Sequence, residues 1–113
     1  MTVNNVAELL DGKILAGECN LSEEVHSACG ADMMSDVLAF VKDKAVLFTG
    51  LMNPQVIRTA EMMDIICIVF VRGKLPGEDV IELANERGVT LIATKLRMFE
   101  ACGKLYAEFN SAK

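Results

Sequence analysis

AVLFTGLMNPQVIRTAEMMDIICIVFVRG, residues 45 to 73, decides the fold. It opens on a short apolar run that ends in Thr49-Gly50. A loop carrying Asn53 and Pro54 follows, and then Val56, Ile57, Ala60 and Met63 recur at helical spacing. Asn53 suits an N-cap, and Pro54 suits the first helical position, where a missing N–H breaks no intrahelical bond. The stretch closes on IICIVFV, a run rich in β-branched side chains, and on Arg72-Gly73. Strand, loop, helix and strand are thus legible in one segment.

The same order repeats downstream. GEDVIELANERG places Val80, Ile81, Leu83 and Ala84 on one helical face, with Gly88 as the glycine that ends it. VTLIAT reads as a strand, a loop opens at Thr94 or Lys95, and MFEACGKLYAEF carries a stripe of Met98, Cys102, Leu105 and Phe109. Near-continuous apolar strands alternating with helices predict an α/β domain of three layers, with a mainly parallel sheet and helices on both faces. Upstream, VAELLD reads as a helix ended by Gly12, KILAG as a strand and VHSAC as a weak strand. MSDVLAFVKD reads as a helix capped by Ser35, with Asp36 in its first turn.

The chain has 113 residues, which fits one domain over 1–113 that buries roughly two-thirds of its unfolded surface without disulfides or metal. Hydrophobic residues make up 52%, with no Trp and seven Met, so the core is aliphatic with adaptable filler. Net charge is −5 and the basic residues are dispersed, which argues against a nucleic-acid or acidic-lipid partner. The longest apolar run is too short to span a bilayer and the N-terminus lacks signal-peptide features, so a cytoplasmic protein is expected. Cys19, Cys29, Cys67 and Cys102 form no CxxC pair and have no His at zinc-ligand spacing.

Two loops share a grammar. Gly50 leaves one strand and Pro54 starts a helix that shows Val56, Ile57 and Ala60; Gly73 leaves the next, and Pro76 precedes Val80, Ile81 and Ala84. In a parallel sheet both loops stand at the carboxyl edge, where open α/β sheets place ligands. Gly50, Asn53, Arg72, Gly73 and Lys74 are the candidate ligand-binding residues, with Arg58 nearby and the helix starts at Gln55 and Glu78 offering N–H groups to an anion. Turn chemistry alone also accounts for these residues, and neither loop matches a P-loop or GxGxxG. His26 is the sole histidine, with Glu23 and Glu24 beside it, and a surface role suits it better than catalysis. Asp32 reads as part of a turn, and Glu100 with Lys104 as an exposed ion pair. No catalytic set is visible.

The order TG, polar helix start, apolar strand, RGKLP, DVIELANERGV and TKLRMFE resembles the DRTGG domain, from about residue 13 to about residue 109. Members of that family accompany phosphotransacetylases and CBS-containing pyrophosphatases, and their fold is similar to the N-terminal domain of HPr kinase. Leu51 to Pro54 stand where the family has Asp-Arg, and Arg72-Gly73 where it has Thr-Gly-Gly, so only Gly50, Gly73 and Pro76 carry across. The chain looks like the stand-alone branch, commonly labelled iron-sulfur-binding and hydrogenase-associated. The resemblance implies a non-catalytic regulatory or assembly module, a homodimer that binds a small anionic ligand such as a nucleotide or docks partner proteins of a hydrogenase or phosphotransfer system. In the alternative, an iron-sulfur or redox accessory role, the cluster would fall to Cys19, Cys29 and Cys102.

Overall fold

The strand predicted over IICIVFV forms the centre of a five-stranded sheet. A computed structural model describes residues 1–33, 35, 37 and 44–111. In chain order the elements are α1 (Val3–Leu9), β1 (Lys13–Ala16), a 3-10 turn (Glu18–Asn20), β2 (Ser27–Gly30), β3 (Ala45–Thr49), α2 (Pro54–Met62), β4 (Ile65–Phe70), α3 (Glu78–Arg87), β5 (Thr90–Ala93) and α4 (Met98–Ser111). The helix expected over MSDVLAFVKD lies mostly outside the described residues; Ser35 and Val37 are helical, and Val37 is buried.

The strands lie in the order β1-β5-β4-β3-β2. β2, β3, β4 and β5 are mutually parallel, and β1 runs antiparallel along β5 with Lys13 opposite Ala93. Alternation along the strands explains why their apolar runs are unbroken. Leu47, Ile68, Phe70 and Leu91 pack on one side with Val56, Ile57 and Ala60 of α2 and Val80 and Ala84 of α3. Val46, Phe48, Cys67, Val69 and Ile92 pack on the other with Val3 and Val6 of α1 and Ala101 and Leu105 of α4. A strand covered on both faces has no polar side to show.

Local chemistry sets the ends. Thr2 and Asn5 form a reciprocal capping box on α1: Asn5 N–H donates to Thr2 Oγ1 at 3.2 Å, and Thr2 N–H donates to Asn5 Oδ1 at 2.9 Å. The helix ends at Leu9 with Leu10 as C-cap, and the left-handed residue after it is Asp11, φ 50°, one position before the expected glycine. Gly88 ends α3 at φ 71°, as expected. Asn53 precedes α2 in extended conformation, yet its side chain makes no capping bond, so only its backbone serves the role read for it. Pro76 differs from its counterpart too. It lies two positions before the first residue of α3, with Gly77 as N-cap, whereas Pro54 is the first residue of α2.

Glu100 receives the Arg97 N–H at 3.4 Å and makes no ion pair with Lys104 among the described residues. Its place in the first turn makes this the better partner, since backbone N–H groups there lack intrahelical acceptors.

Two buried threonines of the β5 segment tie the sheet to the N-terminal region. Thr90 Oγ1 donates to the Gly17 carbonyl at 2.6 Å, and Thr94 Oγ1 donates to the Leu10 carbonyl at 2.8 Å. Replacing either hydroxyl by a methyl leaves a buried carbonyl without its donor. Thr94→Val should therefore lower unfolding stability by about 1–3 kcal/mol, read as a reduced urea midpoint at unchanged slope. A loss under about 0.5 kcal/mol would show that water takes over the bond.

Candidate functional site at the carboxyl edge of the sheet

Parallel pairing puts the exits of β2, β3, β4 and β5 on one edge, and the antiparallel β1 brings its first residue, Lys13, to the same edge. Four of the five expected residues meet there. Gly50 is buried and directly follows β3. Arg72, Gly73 and Lys74 turn the chain out of β4, held by Arg72 N–H to the Leu96 carbonyl at 2.7 Å and Gly73 N–H to the Thr94 carbonyl at 2.9 Å. Lys74 Nζ donates to the Gly50 carbonyl at 3.4 Å. Asn53 is exposed and makes no side-chain hydrogen bond to a described residue, as does Arg58 on α2. Neither is tied to the cluster.

The two glycines differ in their surroundings. Gly73 sits at φ 70°, a conformation that side chains disfavour, and open space surrounds the position a Cβ would take. A Cβ on Gly50 would instead overlap Nη2 of Arg72. Arg72 itself is at φ 64°, so two successive left-handed residues aim its guanidinium across Gly50.

The fifth member is Asp32, two residues past β2. Its Oδ1 accepts the Gly50 N–H at 2.8 Å and the Thr49 hydroxyl at 3.0 Å. The Gly50 N–H above all holds this carboxyl below the usual carboxylate range; slight burial opposes it, and the Thr49 hydroxyl and the charges of Arg72 and Lys74 add to it. Sequence reading assigned Asp32 to a turn, which is where it lies. Its partners stayed hidden because they depend on VHSAC forming a strand parallel to β3. The Gly50 N–H is thus given to the chain's own carboxylate.

The other candidates do not join this cluster. His26 is exposed, and its neighbours are engaged elsewhere, Glu23 with Lys44 at 3.6 Å and Glu24 with the terminal ammonium at 2.9 Å. Cys67 is fully buried, and desolvation pushes its thiol far above the ordinary range. Cys29 and Cys102 lie near each other at the β2 edge, but Cys29 packs with the α2 and α3 side and Cys102 with the α1 and α4 side. Cys19 follows β1, the opposite edge strand. Among the described residues no three His, Cys, Asp or Glu side chains are placed to hold a metal ion, so Cys19, Cys29 and Cys102 do not fit a cluster within one chain.

Two hollows flank the sheet. A groove of about 450 Å³ runs between β2 and α4, walled by Phe48, Phe99, Leu105, Tyr106 and Phe109. A recess of about 390 Å³ opens at the carboxyl edge beside Gly73. No helix among the described residues is long and apolar enough to cross a membrane.

Solved structures share this fold. The CBS and DRTGG domains of the regulatory region of Clostridium perfringens pyrophosphatase, complexed with the activator diadenosine tetraphosphate, match with a TM-score of 0.73 at 17% identity. The match covers 89% of this chain and 44% of that one, so this chain spans less than half of its length. No curated protein matches the sequence significantly. The family model described as the DRTGG domain matches residues 5–107, from within α1 to within α4. This chain belongs to the DRTGG domain family.

Proposed function

We propose that the chain is a non-catalytic regulatory module, acting as a homodimer, that binds a small anionic ligand, a nucleotide in particular, at the carboxyl edge of its sheet. One observation carries the reading: the exits of three adjacent parallel strands bring Asp32, Gly50, Arg72, Gly73 and Lys74 together. Two cations and an exchangeable carboxylate at a strand-end edge suit an anion that displaces Asp32 and takes over its cations. The nucleotide activator found with the regulatory region of the pyrophosphatase, whose fold this chain shares, supports the ligand class. For self-association, the support is the pair Phe99 and Tyr106, 88% and 70% exposed beside the edge strand β2.

Calorimetry against adenine nucleotides tests the site. The wild-type chain should bind at least one of them, and Arg72→Ala with Lys74→Ala should abolish binding while far-UV circular dichroism shows the same fold. Absence of binding across the panel removes the ligand reading.

Asp32 gives two further outcomes. Asp32→Asn keeps an acceptor for the Gly50 N–H and removes a negative charge, so nucleotide affinity should rise about tenfold. The lowered carboxyl pKa also stabilises the folded chain above the ordinary value of 3.8, and this contribution disappears as pH falls through the lowered folded value. Acid unfolding of Asp32→Asn should lack that component, and identical acid limbs for the two proteins would contradict the hydrogen-bonded carboxylate.

Sedimentation at micromolar concentration should show a dimer that Phe99→Asp converts to monomer; a wild-type monomer ends the homodimer reading.

A further inference from the structure

The recess beside Gly73 has the make-up of a seat for an organic ring. Leu10, Ala93 and Leu96 give it apolar walls, the exposed Leu75 lines it as well, and Lys13 and Lys95 line it together with one carboxylate, Asp11. Its volume of about 390 Å³ falls in the range of small-molecule sites. The walls are built in advance. Thr94 Oγ1 donates to the Leu10 carbonyl and accepts the Leu96 N–H at 3.2 Å, while the Leu96 carbonyl holds the Arg72 N–H. Three chain segments are thereby fixed around one hollow, which lowers the ordering cost of binding.

Two features of the recess have no internal explanation. Leu75 is 64% exposed on a loop, where a polar residue would cost nothing. Lys13 and Lys95 are exposed and make no ion pair with a described residue. An exposed leucine and two cations against the single carboxylate of Asp11, on a hollow that shares Gly73 with the Arg72 and Lys74 cluster, match a molecule with a ring at one end and acidic groups at the other. The geometry points to this recess as the seat for the ring of a nucleoside phosphate, with Leu75 covering the ring and Lys13 and Lys95 adding charge for its acidic part. This rests on the ligand reading proposed above, and it adds what distinguishes a nucleotide from a bare polyphosphate.

The test compares ATP with inorganic tripolyphosphate on the full chain by calorimetry. Wild type should bind ATP at least tenfold more tightly. Leu75→Ser, a change on an exposed loop, should weaken ATP about tenfold and leave tripolyphosphate and the melting temperature unchanged. Equal affinity of wild type for the two ligands overturns the recess, as does an equal effect of Leu75→Ser on both or no effect on either. In those cases loss of binding in the Arg72→Ala, Lys74→Ala variant still upholds the anion site. Failure of wild type to bind either ligand removes the site and the recess together.

Discussion

Parallel pairing of β3 with β4 is the constraint on which the rest depends. Parallel neighbours cannot be joined by a tight turn, so each crossover needs a helix, and each helix must bury its apolar stripe on the sheet. That requirement covers one face with α2 and α3; the terminal helices α1 and α4 cover the other, so the strands are apolar throughout and polar residues stand at their ends. It also fixes direction. Every strand from β2 to β5 leaves the sheet at the same edge, so side chains distant in sequence, such as Asp32 and Arg72, become neighbours without any local motif to announce them.

The regular half of the chain was legible because each unit carries a complete signal. Strand, exit glycine and helical stripe appear together over residues 45 to 73, and the structure keeps them. The four-residue β2 was harder to read, since Ser27 to Gly30 alternate between half-buried and exposed as an edge strand does. Antiparallel β1 was legible as a strand but not in direction, because direction depends on how a tertiary neighbour receives it. The shared grammar of the two glycine loops proved only partly structural. Pro54 begins its helix while Pro76 does not, and Gly73 takes a left-handed backbone conformation while Gly50 lies against the Arg72 guanidinium.

The candidate site was legible in its cations and in Gly50 and Gly73, because strand-exit residues can be placed once the strands are known. Asp32 was not, since its partners become visible only when β2 is laid beside β3. Nor was the recess. Leu10, Leu75 and Leu96 come from three segments, and each alone reads as an ordinary apolar residue near an element end. Asn53 shows the reverse error: a residue well suited to capping in sequence contributes only its backbone in the fold.

The carboxylate of Asp32 has a consequence for selectivity. An anion arriving at Gly50 has to take the place of a negative group that is tethered to the chain and therefore present at high effective concentration. On the proposed reading, chloride or free phosphate, with one weak contact to offer, would be held off by that competition. A ligand with several charges and a body of its own can win it. On the ligand reading proposed above, the edge would act as a threshold, indifferent to simple anions and responsive to a molecule that binds at more than one point.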